Sequence, residues 1–220
     1  MKPIRIWDLP TRFFHWLLAA AIIGLIVTGK VGGNAMVWHL RLGYVVFALL
    51  IFRLAWGFIG GYWSRFASFF PTPARIGRYF RKQSTPEDLA GHNPLGALSV
   101  IAMLLIIALQ LASGLMADDE IAFSGPLTPL VSSDTVYLAT DFHKDFGQLL
   151  VIVLAALHVL AILFYRVFKK QKLTRAMIVG DKLQAEPVPA SRDTAGTRLT
   201  ALVVIGISAL IVYGVLQLGN

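Results

Sequence analysis

Residues 143–158 read HKDFGQLLVIVLAALH, two histidines closing off a stretch that carries no charge after Asp145. The apolar run continues past His158 to about residue 165 and shows no alternation of apolar and polar positions, which predicts a helix and not a strand. At 1.5 Å per residue, the 15 residues from His143 to His158 cover about 22 Å, most of the thickness of a bilayer. A histidine placed inside such a segment is costly unless something uses it.

Working outward, four more segments are long and apolar enough to span: roughly 13–30, 39–60, 95–116 and 199–218, beside 143–165. Of the 220 residues 56% are hydrophobic and 15% charged, against about 25% charged in soluble domains, so the chain reads as an all-α membrane protein. The net charge of +8 follows a pattern. Arg65, Arg75, Arg78, Arg81 and Lys82 stand in 61–94, and eight basic residues against three acidic ones in 166–198. The segment 117–142 has Asp118, Asp119, Glu120, Asp134 and Asp141 and no Lys or Arg. That is the positive-inside asymmetry, and it accounts for most of the basic excess without a nucleic-acid partner. It places the N-terminus, 61–94 and 166–198 in the cytoplasm, 30–38 and 117–142 outside, and the C-terminus after five spans in the periplasm. The first segment lacks a cleavage-like pattern, since Gly29-Lys30-Val31-Gly32-Gly33 follows it, and reads as a retained helix.

The chain has no cysteine, which excludes disulfides, thiolate metal sites, iron–sulfur clusters and thioether-linked haem. Four of its five histidines lie in or at the ends of spans. By topology His15 is near the inner end of the first span and His39 at the outer start of the second. His143 is at the outer start of the fourth, and His158 lies deeper. Depth pairs His39 with His143 and His15 with His158; the pairing of His15 with His143 would join opposite sides of the bilayer. Zinc and copper also take imidazole, but a small ion needs three or four ligands together. Two pairs about 20 Å apart suit two six-coordinate haems, held non-covalently. A flat macrocycle needs room beside its ligand, and Ala19, Gly43 and Gly147 each follow a histidine by four residues, with Ala155 and Ala161 near His158.

His92, in the turn Gly91-His92-Asn93-Pro94, could take the place of His15 but precedes its helix; Asn93 suits an N-cap and Pro94 the first helical position. Arg53 lies 14 residues after His39, on the same face, where it would meet a haem propionate or else snorkel to inner headgroups. Arg12, Arg41 and Lys144 flank the ligands with the same two readings. Asp8, Pro10 and Thr11 predict a helix start. The stretch 181–198, with Pro187, Pro189, Ser191 and Gly196, reads as a polar cytoplasmic linker.

The opening Ile6-Trp7-Asp8-Leu9-Pro10-Thr11-Arg12-Phe13-Phe14-His15-Trp16, the turn Gly91-His92-Asn93-Pro94-Leu95-Gly96 and the His143…His158 pair resemble the bacterial cytochrome b-561 and nickel–iron hydrogenase b-type cytochrome family, over about 1–180. The resemblance implies a four-helix bundle with two b haems on His15, His39, His143 and His158, exchanging electrons with membrane quinone and with a redox partner outside. The expected organisation is a di-haem domain over 1–180, a linker over 181–198 and an additional transmembrane helix over 199–220. That fifth helix suits packing against a partner subunit or a second copy of the chain. The expected function is electron transfer in the bacterial inner membrane between the quinone pool and a periplasmic c-type cytochrome, hydrogenase or other dehydrogenase. A self-contained quinone-linked oxidoreductase acting on a small periplasmic substrate such as superoxide is the alternative, and a haem-free structural or transport bundle a third reading.

Overall fold

The computed structural model describes residues 1–219. In chain order it has β1 (Lys2–Arg5), α1 (Leu9–Val31), α2 (Met36–Ile59), α3 (Phe66–Phe69), α4 (Pro73–Phe80), α5 (Pro86–Ala90), α6 (Pro94–Met116), α7 (Ser133–Asp141), a π-turn over Phe142–Gly147, α8 (Gln148–Val167), α9 (Leu173–Val179), β2 (Asp181–Gln184) and α10 (Ala195–Leu216). Five helical stretches are long and apolar enough to cross a membrane: α1, Gly33–Ile59, α6, Ser133–Val167 and α10. The protein is a multi-pass helical membrane protein, as its sequence predicts. Large apolar side chains such as Leu105, Leu157 and Leu210 are exposed along these helices, as expected where the solvent is lipid.

The helix ends follow their local chemistry. Asp8 caps α1, its Oδ1 accepting from the Thr11 amide at 2.7 Å. Gly32 and Gly33, with φ of 67° and 52°, turn the chain between α1 and α2. Asn93 caps α6 through the Gly96 amide at 2.8 Å, and Pro94 opens that helix. Thr85 and Asp88 form a capping box on α5. The fourth span starts earlier than expected: Ser132 accepts from the Thr135 amide, and α7 winds through the π-turn directly into α8.

The chain divides into two compact units, to both of which α1, α2, α6, α8 and α10 contribute. The first comprises Met1–Phe14, Arg53–Ala102 and Ala155–Val204. Its core is Ile6, Trp7, Trp63, Ala90 and Ala176. Within it Asp8 is 0% exposed and gathers four donors: its carboxylate accepts from Thr11 N, from Gly61 N (3.0 Å), from Ser64 Oγ (2.9 Å) and from Trp56 Nε1 (3.3 Å). Asp88, also buried, takes Arg75 Nε at 2.8 Å and Arg78 at 2.9 Å, which ties the amphipathic α4 to α5.

Two expectations change here. A two-stranded antiparallel sheet exists, pairing Lys2 with Gln184 and Arg5 with Asp181; at four residues per strand it is too short for an alternation signal to show. The stretch expected to be a linker is part of the first unit. Beyond β2, Ser191 Oγ donates to Ile6 O at 2.7 Å and accepts from Trp63 N, Trp63 Nε1 donates to Pro189 O, and Asp193 binds Arg5 and Arg198. Polar residues there satisfy buried backbone groups of the N-terminal segment, which sequence polarity alone reads as solvation.

The second unit comprises His15–Phe52, Met103–Leu154 and the chain from Ile205 onward. Its loop after α6 folds on Asp118 and Asp119, with Thr140 Oγ1 accepting from Asp118 N at 3.0 Å.

Asp8→Ala leaves four buried donors without their acceptor, and each unpaired buried group costs about 1–3 kcal/mol. The variant is expected to lose at least about 3 kcal/mol and to show a markedly lower unfolding temperature in detergent. A pH effect follows from Lys182, whose Nζ donates to Leu89 O and Ala90 O at 2.7 and 3.1 Å and whose pKa burial lowers to about 8. The unfolded chain then binds more protons than the folded one between about 8 and the ordinary lysine value of 10.5, so stability rises with pH across that window. Thermal unfolding of the wild type against Lys182→Met should show that rise flattened in the variant.

Candidate haem-binding site

The second unit brings His39 and His143 together. Their ring centroids are 6.0 Å apart and their planes cross at 84°. Two imidazoles bound to opposite sides of one metal through bonds of about 2 Å have centroids roughly 6 Å apart, so the pair stands at ligating separation.

Each ring is held from behind by the neighbouring helix. His39 Nδ1 lies 2.9 Å from Leu25 O on α1, and His143 Nδ1 lies 2.8 Å from Gln110 O on α6. A carbonyl can only accept, so both rings carry their proton on Nδ1 and keep the lone pair on Nε2, the nitrogen left to bind a metal. This is how ligating histidines are oriented and made more basic.

The two cradles are built alike. Three residues after the accepting carbonyl comes a hydroxyl, Thr28 or Ser113, that stands 3.4 Å from the same Nδ1; Ser113 donates to that carbonyl at 3.0 Å, while Thr28 donates to Gly24 O at 2.7 Å and lies 3.2 Å from Leu25 O. Four residues after it comes a glycine. A Cβ at Gly29 would stand 3.2 Å from the His39 ring, and one at Gly114 2.6 Å from the His143 ring. Leu25-Ile26-Val27-Thr28-Gly29 and Gln110-Leu111-Ala112-Ser113-Gly114 are thus two versions of one local device. Gly43, one turn after His39, has open space where a Cβ would point, as a flat macrocycle requires. Gly147 does not serve that purpose: the Gln110 amide oxygen fills its place.

The remaining candidates sit as follows. His15 lies on α1 with its ring edge-on to Trp16 at 5.0 Å, and His158 on α8; both are half-buried. They fall in different units. Arg53 is 4% exposed in the first unit, its guanidinium over the Phe66 ring at 4.7 Å, and its Nη1 has no hydrogen-bond partner among the described residues. His92 is wedged between Trp7 and Phe69, 4.7 Å from each. Arg12 donates to Ile178 O at 2.7 Å, Arg41 stacks on Trp38, and Lys144 lines an acidic cavity. Sequence reasoning missed Gln110 and Ser113; a lone amide within the uncharged span of α6 was the available signal.

Among the described residues no group of three or more His, Asp or Glu comes together to hold a free metal ion. The donors come as an imidazole pair beside open space. The family model described as prokaryotic cytochrome b561 matches residues 6–180. The chain belongs to the prokaryotic cytochrome b561 family. It is similar to proteins called probable Ni/Fe-hydrogenase B-type cytochrome subunit from Azotobacter vinelandii (23% identical, covering 84% of this chain and 91% of that one) and Rhodobacter capsulatus (22%, 81% and 81%). The one from Rhizobium leguminosarum bv. viciae is 21% identical over 83% and 90%. No solved structure matches. Membership makes the protein a b-type cytochrome that carries electrons in a membrane, with haem b as its cofactor.

The open space at Gly43 gives a test. Gly43→Leu is expected to lower the haem content of the purified cytochrome, whereas Gly206→Leu, whose Cβ direction is equally open, leaves it unchanged. The measurement is the Soret absorbance per protein; equal values in both variants would show that nothing occupies the space beside His39.

Proposed function

We propose that this cytochrome carries electrons through two non-covalent b haems, one between His39 and His143 and the other between His15 and His158. It would exchange them with the quinone pool and with a periplasmic redox protein. The observation that carries this reading is the His39–His143 pair, with ring centroids 6.0 Å apart and both Nδ1 protons committed to carbonyls. The His15–His158 pair rests on depth along the helices. A bound haem iron would supply one-electron chemistry; the imidazoles would hold it through Nε2, made more basic by the carbonyls behind them.

Arg53 is read as the propionate partner of the His15–His158 haem. A buried guanidinium with an unused N–H needs an anion. Among the described residues the carboxylate of Asp8 acts on it, and that carboxylate is already shared among four donors. The membrane is read as the bacterial inner one, and the positive-inside pattern supports an orientation with the N-terminus in the cytoplasm and the C-terminus in the periplasm.

The partner side is read from the second unit. A cavity of about 540 Å³ is lined by Asp118, Asp119, Glu120, Asp141 and Asp145, with Lys144 its one basic group. Asp119 is held below the usual carboxylate range by the amides of Phe123, Ala122 and Ile121. Such a rim favours a basic docking face and repels a small anion such as superoxide, so it supports the subunit reading over the self-contained oxidoreductase. The names of the relatives make a hydrogenase the first partner to try.

The test is haem stoichiometry together with the ligand variants. A pyridine haemochrome assay should give two haems b per chain. His39→Ala and His143→Ala should each abolish the same redox component, and His15→Ala and His158→Ala the other. One haem per chain, or loss of different components from His39→Ala and His143→Ala, would overturn the reading.

A further inference from the structure

The two histidine cradles differ at one position. Leu25 holds His39 only by its carbonyl, whereas Gln110 holds His143 twice. Its carbonyl accepts from His143 Nδ1, and its own Nε2 donates to His143 O, each at 2.8 Å. The second bond goes to a carbonyl that an ordinary helix would leave to residue 147. His143 lies in the π-turn Phe142–Gly147, where the backbone is wound i→i+5. That winding accommodates one extra residue and turns everything before it by about 100° relative to the helix that follows. Glycine at 147 completes the arrangement, because a Cβ there would collide with Gln110 Oε1. α2 around His39 is regular and has neither feature.

We propose that Gln110 is a positioning residue: its amide clamps the opened π-turn that carries His143 and so fixes the plane of the His143 imidazole nearly perpendicular to that of His39. The inference rests on the reading that these two histidines bind one haem. The angle between two axial imidazole planes controls the anisotropy of low-spin ferric haem, and crossed planes give the larger one. Hydrogen bonding behind the ligand tunes the potential of the same iron.

The experiment uses the full-length protein with its haems. Gln110→Met keeps the length of the side chain but cannot donate, and Gly147→Ala attacks the same contact from the other helix. In each, the largest g value of the component lost in His143→Ala should fall and its midpoint potential should move, while the other haem stays unchanged as an internal control. Because both substitutions break one interaction, the double variant should shift no further than either single one. Unchanged g values and potential in Gln110→Met, with both haems present, overturn the proposal. If Gln110→Met loses that haem altogether, Gly147→Ala decides: a shifted signal supports the clamp and an unshifted one overturns it. A wild type with no haem component that depends on His143 refutes the underlying reading instead, so the two failures are distinguishable.

Discussion

An imidazole that gives its Nδ1 proton to a backbone carbonyl has one nitrogen left, and the rest of the second unit is arranged to make that gift at two places. In a membrane span every carbonyl is already engaged with the amide four residues on, so an outside donor must share an occupied acceptor. Sharing requires close approach of a ring to a neighbouring backbone. Gly29 and Gly114 permit it, and Thr28 and Ser113 bring a hydroxyl to each ring and its carbonyl. The turn at Gly32 and Gly33 follows from the same demand, since it must return the chain within four residues of the end of α1 to set His39 against Leu25.

The first unit solves a different problem. There the buried polar groups serve the backbone of short elements that could not stand alone. Asp8 begins α1, accepts from Gly61 and Ser64 and meets Trp56, and Asp88 does the same for α4 and α5. A carboxylate so surrounded fixes the end of a helix in low-dielectric surroundings, where an unpaired buried polar group would be costly. The position of the α1 start is tied to this network.

The sequence made the spans, the caps at Asp8 and Asn93 and the nearness of His39 to His143 legible, because each depends on local chemistry or on counting depth along a helix. The short sheet was hidden, since its two strands meet across 180 residues and neither is long enough to alternate. The π-turn was hidden as well: a one-residue insertion leaves no mark on composition, and Lys144 and Asp145 read as a span end. The Thr-Gly and Ser-Gly pairs were visible as residues but became a repeated device only once Leu25 and Gln110 were seen behind the two rings. Four-residue spacing from each histidine pointed to Gly43, where a Cβ would meet open space, and misread Gly147, because the ring's neighbours lie on the adjoining helix as well as on its own.

The segment after β2 shows how a polar stretch can be structural. Ser191, 5% exposed, bonds the carbonyl of Ile6 and the amide of Trp63, groups from two other parts of the chain. Asp193 then joins Arg5 of β1 to Arg198 in the first turn of α10. The family match ends at residue 180, yet the N-terminal motif that carries the resemblance is held in place by residues beyond it. The first turn of α10 is thereby joined to β1 through the ion pairs of Asp193. A partner that engages α10 would act on the same polar network that sets the beginning of α1.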